Sequence, residues 1–225
     1  MHLAGIVLAA LFAVTLGFVY RRDQRVMKAQ RLKLFEACLS LFDHHRLTQD
    51  AVNFPVLTGC YGGYDVRVEP VVDHVVFRKI PSLWLLVTVR RELPMDGTFD
   101  LLARTQNVEF YSPASSLPMR VATPDAWPRH TSIKADRPAA ELPLGLLDPH
   151  VRTIFDDPRS KELLVTRRGV RIVYQAHSAD RSEYLVLRSA AFREAHVPAA
   201  LLKSILDQAV AVCADLVSGG THAQA

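Results

Sequence analysis

The first pattern along the chain is an apolar run, residues 3–20, that contains no charged side chain. At about 1.5 Å per residue, a helix of these 18 residues would measure roughly 27 Å, close to the ~30 Å hydrocarbon core of a bilayer. Ten of its residues are Leu, Ile, Val or Phe, and their insertion free energies sum to roughly −3 to −6 kcal/mol. The pattern predicts a membrane anchor over residues 1–20.

Two other structures are compatible with such a run, namely a cleaved secretory signal and a buried core helix. A cleaved signal has a cationic start, a shorter apolar centre and small residues before the cleavage site. Only Met1 and His2 precede the run, and Phe18, Val19 and Tyr20 stand where small residues would be required. We therefore expect an uncleaved, single-pass transmembrane helix.

Basic residues flank the run on its carboxyl side alone. The expected membrane-interface residues are Arg21, Arg22, Arg25 and Lys28. Because Lys and Arg are enriched in cytoplasmic flanks, the amino terminus is predicted outside and the C-terminal domain in the cytoplasm. The chain has 21 arginines against 6 lysines, which suggests a G+C-rich bacterial genome and hence a bacterial inner membrane.

The net charge of +4 is concentrated next to the predicted anchor. Residues 21–46 hold seven basic and three acidic side chains, whereas the later residues hold 20 of each. A neutral domain gives no reason to expect nucleic acid, so the predicted partners are the lipid bilayer and proteins at the membrane. Three cysteines, Cys38, Cys60 and Cys213, match no disulfide framework and fit a reducing compartment. No oligomeric state is indicated.

Helical periodicity continues after the arginines. Apolar residues at i, i+3, i+4 and i+7 are Phe35, Cys38, Leu39 and Phe42. This spacing predicts an amphipathic helix over residues 26–47, within a basic juxtamembrane segment 21–47 that precedes a domain over 48–225. Since no strict heptad is sustained, the apolar face is expected to pack on the domain and not on a second copy.

The remaining residues predict short strands and two helices. The expected strands cover residues 64–69, 75–77, 83–89, 99–104, 108–111, 130–134, 162–166, 170–175 and 183–188. A short helix is expected over 146–155, with Asp148 as its N-cap, and a long one from Pro198 to Gly219. Because most strands follow one another without intervening helices, the predicted fold class is α+β: an N-terminal transmembrane helix, then a mainly antiparallel sheet packed with a long C-terminal helix.

Residues that carry chemistry are scattered and form no catalytic motif. The glycine-rich stretch 59–63 lacks the Lys-Ser/Thr pair of a phosphate loop and predicts a tight turn, with Cys60 as a nucleophile in the alternative interpretation. His44 and His45 would point about 100° apart on a helix, so one helix cannot aim both at one metal. We predict no catalytic residue, metal or cofactor.

One cluster of like charge remains, at the predicted hairpin. Arg167, Arg168 and Arg171 are the best candidates for contact with an anion, either a phosphate or the membrane surface, and the alternative is a solvated hairpin tip.

The leading hypothesis is a single-pass membrane protein that presents a cytoplasmic binding or assembly domain. A membrane-associated enzyme is the first alternative, and it would need a pocket that gathers two or more of His130, His150, Asp156 and Cys60. The second alternative is an apolar-ligand (lipid) pocket between the sheet and the closing helix.

Overall fold

A computed structural model describes residues 2–73, 80–103, 109–179, 192 and 195–222. It contains a long N-terminal helix α1 (His2–Leu32), which continues into a 3-10 segment (Lys33–Leu41), and two further helices, α2 (Leu144–Asp156) and α3 (Ala199–His222). The strands are β1 (His44–Thr48), β2 (Val56–Tyr61), β3 (Tyr64–Val72), β4 (Ser82–Arg90), β5 (Thr98–Ala103), β6 (Met119–Val121), β7 (Thr131–Ala135), β8 (Ser160–Thr166) and β9 (Gly169–Ser178).

Within the described ranges, these nine strands form one antiparallel sheet in the order β1-β2-β3-β4-β9-β8-β5-β7-β6. The predicted α+β architecture, with its long N-terminal helix, antiparallel sheet and C-terminal helix, is thereby confirmed. The central strands β4, β9 and β8 come from the solid apolar run and from the predicted hairpin.

The inner face of the sheet carries the hydrophobic core. Along β4, Leu83, Leu85, Val87 and Val89 are fully buried on this face, while the alternate residues point to the outer face. Helix α3 lies against β4 and β9 and also contacts α2 and the 3-10 segment. Its predicted apolar stripe, from Leu202 to Leu216, is buried in the core.

The 3-10 segment is an integral part of this core. Its side chains Leu34, Phe35 and Cys38 are fully buried, so the apolar face packs on the domain, as expected. The Val197 N–H donates to the Leu34 carbonyl at 2.8 Å, and the Cys38 thiol donates to the Val197 carbonyl at 3.1 Å. The 3-10 segment is therefore joined to the segment that leads into α3.

The helix predicted over residues 26–47 is wrong beyond Leu41. Phe42 is extended, and the next residues form the edge strand β1, which pairs with β2 in the register His44 to Cys60. Gly59 permits this pairing, because a Cβ there would lie 2.4 Å from the His44 carbonyl oxygen. The strand pairing, which periodicity alone does not show, outweighs the local helical pattern.

The predicted start of α2 and the predicted end of α3 both need correction. Helix α2 begins earlier than expected, because the Pro143 carbonyl accepts hydrogen bonds from the N–H groups of Leu146 and Leu147; Asp148 is therefore inside the helix and not its N-cap. Helix α3 does not stop at Gly219. A Cβ at that glycine would lie 2.4 Å from a Leu146 methyl, so this glycine permits close packing of α3 on α2.

The remaining strand predictions have mixed outcomes. Residues 109–111, predicted as part of a strand, form a turn instead, and β2 and β6 were not predicted. The turn predicted over the stretch 59–63 is confirmed only at Gly62 and Gly63, whose φ values are 55° and 80°, because residues 59–61 belong to β2. The strands expected over 75–77 and 183–188 lie outside the described residues.

Candidate functional site

The apolar run of α1 projects from the domain with its side chains in solvent. Leu8, Phe12 and Phe18 are 72%, 68% and 69% exposed, and none of the most apolar 18-residue window is buried. Within the described residues, one helical stretch, Gly5–Leu41, is long and apolar enough to cross a membrane. The expected interface residues follow this run on α1 with exposed side chains: Arg21, Arg22, Arg25 and Lys28.

The base of α1 is held by the loop between β1 and β2. The Arg31 guanidinium donates to the Val52 carbonyl at 2.7 Å and lies 4.9 Å from the centre of the Phe54 ring. The Gln49 side-chain amide donates to the Lys28 carbonyl at 3.0 Å. These contacts fix where the apolar helix leaves the domain.

The three hairpin arginines predicted to contact an anion have three different environments. Arg167 forms an exposed ion pair with Glu92 at 3.1 Å. Arg171 is turned into the protein, where it binds both carboxylate oxygens of Glu162, at 2.8 and 3.0 Å, and the Tyr111 carbonyl at 2.6 Å. Within the described part of the chain, the Arg168 side chain is exposed and has no hydrogen bond or ion pair.

A depression of about 450 Å³ lies beside this hairpin on the outer face of the sheet. The pairing of β4 with β9 brings its lining residues together, because Arg90 of β4 pairs with Gly169 and Thr88 of β4 pairs with Arg171. Its polar lining consists of Thr88, Arg90, Thr166, Arg168 and Arg171. A second depression of about 530 Å³ shares Arg90 and Arg168 and also contains Glu92 and Arg167.

Sequence inspection did not identify Arg90 or the two threonines. Arg90 directly follows the apolar run of β4 and therefore looks like an ordinary strand end. Thr88 and Arg90 alternate with the buried Val87 and Val89, which places both polar side chains on the outer face. This alternation indicates a shared site only once β4 is known to pair with the arginine hairpin.

Two buried carboxyl groups lie under the same face. Glu162 and Asp100 are both fully buried, and loss of solvent raises the pKa of Glu162 to about 8 and of Asp100 to about 6. Arg171 opposes both shifts, and the Ser112 hydroxyl donates to Asp100. Glu162 is the one of the two that binds Arg171, and it supports the floor of the depression by holding that side chain in place.

The residues considered for catalysis are not brought together. His150 pairs with Asp215 at 2.8 Å, whereas Cys60 lies on β2 opposite Asp65 of β3. His130 and Asp156 are exposed on a loop and at the end of α2. None of the four lines either depression above or a third of about 570 Å³ at the base of α1.

Metal-binding residues are likewise separated. His44 and His45 are consecutive on β1, so their side chains lie on opposite faces of the strand. Across the ranges that the structure describes, no three His, Cys, Asp or Glu residues are grouped so as to hold a metal ion.

Comparison with protein-family models, curated proteins and solved structures finds no match for this chain. Functional inference therefore relies on the chain's own residues, above all the exposed apolar helix and the arginine-lined depression.

Proposed function

We propose that this chain is a single-pass membrane protein that presents its α+β domain in the cytoplasm as a binding or assembly module. Its membrane would be a bacterial inner membrane, with the amino terminus outside. The observation that carries this proposal is the exposure of the whole apolar window of α1.

Exposure of this kind is unfavourable in water. Each large apolar side chain gains roughly 1.5–3 kcal/mol when it is buried, and α1 keeps side chains such as Ile6, Leu8, Leu11 and Phe12 at 60% exposure or more. An isolated helix also derives little stability from its backbone alone. A bilayer supplies the missing burial, and its estimated gain of −3 to −6 kcal/mol is opposed by no charge within the run.

The flanking charges support the orientation. Arg21, Arg22, Arg25 and Lys28 are exposed just beyond the run, where they can reach the headgroups of an anionic cytoplasmic leaflet. The neutral domain beyond them favours proteins as the further partners of the module, and not nucleic acid.

Membrane fractionation with protease protection tests the proposal. We expect the chain in the membrane pellet, extractable only by detergent, with the domain protected in intact spheroplasts and cleaved in inverted vesicles. A mature protein that begins beyond residue 20, or that stays in the supernatant without detergent, contradicts it.

A matched pair of variants separates insertion from general misfolding. Leu11→Arg with Val14→Arg places two charges at the centre of the run, at about 3 kcal/mol each, and should release the protein from the pellet. Val26→Arg with Met27→Arg makes the same change on exposed residues of α1 beyond the run and should leave it membrane-bound. Equal behaviour of the two pairs would refute insertion through residues 3–20.

A further inference from the structure

We propose that the depression lined by Arg90, Arg168 and Arg171 binds the phosphate group of a soluble molecule. The binding site needs only the folded domain, but the statement that its ligand is not a lipid of the anchoring membrane depends on the proposed function. This ligand class deepens that proposal, because it says what the displayed module binds.

Two arginines beside the depression form no ion pair with the described residues. Arg90 and Arg168 are exposed, and neither side chain has a carboxylate partner among the residues that the structure describes. Both residues line the two adjoining depressions and therefore border one shared space. Two cations that border a concave surface attract an anion more strongly than either attracts it alone.

Arg171, at the floor of the depression, keeps one nitrogen without a hydrogen bond to any described residue. Arg171 uses Nε and Nη2 for its bonds to Glu162 and Tyr111, and within the described residues its Nη1 makes no hydrogen bond. Guanidinium groups present N–H pairs that match phosphate oxygens, and a guanidinium already held in place loses little entropy on binding. The Thr88 hydroxyl adds a neutral donor on the same face.

The volume of the depression fits a small molecule. A space of about 450 Å³ exceeds what a single phosphate fills and falls within the range typical of small-molecule sites. Its lining has two apolar side chains, Leu164 and Val170; Val170 is fully buried, and Leu164 retains a little exposure with which to contact the uncharged part of such a ligand. The site therefore fits a phosphate ester of a small molecule.

The position of the depression relative to α1 favours a soluble phosphate over a lipid headgroup. Helix α1 is held at the β1–β2 loop by Arg31, whereas Arg90 lies in the row of Asp65 and Cys60 at the opposite end of those strands. Along β2, the row that contains Arg90 lies four residues, or about 13 Å, from the β1–β2 loop. Along α1, the ten residues from Arg31 at the loop to Arg21 at the expected headgroups span about 15 Å more.

The two distances add, because the direction of the 3-10 segment points α1 away from the depression. It crosses the inner face from the β1–β2 loop toward Cys60, whose carbonyl accepts the Asp43 N–H at 3.0 Å. Helix α1 continues this segment in the reverse direction and so leaves the domain beyond the loop. The depression is then separated from the headgroups by more than the ~8 Å screening length of physiological salt.

Titration of the full-length protein in zwitterionic nanodiscs with inorganic phosphate, followed by calorimetry at low ionic strength, tests the site. Arg90→Gln and Arg168→Gln should each weaken binding at least about fivefold. The matched control is Arg167→Gln, which removes the same charge from the same hairpin but from a residue paired with Glu92 and absent from the smaller depression. It should change affinity less than about twofold.

Two results would overturn the site itself. If Arg167→Gln weakens binding as much as Arg168→Gln does, the attraction is diffuse and there is no defined site. If the unaltered protein shows no saturable heat of binding, the depression does not bind phosphate.

The source of the phosphate is tested with the same protein in nanodiscs that contain a phosphoinositide. We expect unchanged affinity for inorganic phosphate, and competition by the lipid would overturn the assignment to a soluble ligand. Failure of the proposed function is distinguishable: a protein that stays soluble without detergent but binds phosphate through Arg90 and Arg168 contradicts the anchor and keeps the site.

Discussion

Replacement of Arg171 by methionine should destabilise the domain strongly, although the residue lies on a hairpin that looks solvated in the sequence. Its guanidinium is the counter-charge of Glu162, which is fully buried, and it also binds the Tyr111 carbonyl. Removal of one partner from a buried pair typically costs 3–5 kcal/mol. We expect about 3 kcal/mol here, the lower end of that range, because burial raises the pKa of Glu162 to about 8 even beside Arg171, so its carboxyl is already largely protonated at neutral pH.

For a domain of this size, about 3 kcal/mol corresponds to a decrease in Tm of roughly 6–12 °C. Urea unfolding followed by far-UV circular dichroism in detergent measures the free energy directly. Arg167→Met is the matched control, because its ion pair with Glu92 is 64% and 79% exposed, and it should cost less than about 0.5 kcal/mol.

A double variant completes the cycle. Glu162→Leu combined with Arg171→Met removes both partners of the pair and should recover much of the lost stability, because Glu162 no longer leaves a buried carboxylate without its guanidinium, while Asp100 keeps the Ser112 hydroxyl as a donor. If Arg171→Met lowers the free energy of unfolding no more than Arg167→Met does, the pair of Glu162 and Arg171 is solvated and not buried. Arg171 would then not be held in place at the floor of the depression.

Three further outcomes are expected. The free energy of unfolding should decrease as pH rises from about 4 to about 8, because burial raises the pKa of Glu162 and Asp100 and the folded state then holds more protons than the unfolded state; Glu162→Gln should flatten this profile in urea titrations. Gly169→Ala should lower Tm, because φ is 137° and a Cβ would lie 2.1 Å from the Val89 carbonyl oxygen, a strain of about 2 kcal/mol. A thiol reagent should modify half-buried Cys60 in the folded protein but Cys38 only after unfolding, because burial raises the pKa of Cys38 to about 11.

These three outcomes have simple controls. Gly145→Ala, with nothing within 4 Å of the added Cβ, should not lower Tm, and an equal loss at both glycines would contradict the steric argument. Stability that rises between pH 5 and 8 would show that the buried carboxyl groups do not hold raised pKa values. Reaction of Cys38 at the rate of Cys60 would place the 3-10 segment outside the core.

The elements with strong local patterns were predictable from the sequence, and those that depend on pairing partners were not. The apolar run of β4 and the hairpin of β8 and β9 were predicted because alternation and turn residues are local signals. Strand β1 has no such alternation and forms because β2 is beside it, where Gly59 leaves room. Local pattern therefore indicated helix where tertiary pairing imposed a strand.

The candidate site was predictable only in part, for the same physical reason. Arg167, Arg168 and Arg171 were recognised as a charge cluster, but their separate environments depend on Glu92 and Glu162, which are distant in the sequence or look like surface residues. Arg90 joins the site through cross-strand register, which no short-range pattern encodes. The sequence showed that positive charge is concentrated at the hairpin, but it did not show which of these arginines are held in ion pairs and which are free to bind a ligand.

The hydrogen bond between Val197 and Leu34 has a consequence for biosynthesis. Leu34 is among the first residues of the domain to leave the ribosome, and its partner is made 163 residues later. Until α3 has been synthesised, the growing chain lacks the helix that covers β4 and β9 on the inner face of its sheet. The fold is therefore completed only when the last helix has been made, and until then the exposed apolar surface of the nascent chain favours aggregation with neighbouring chains.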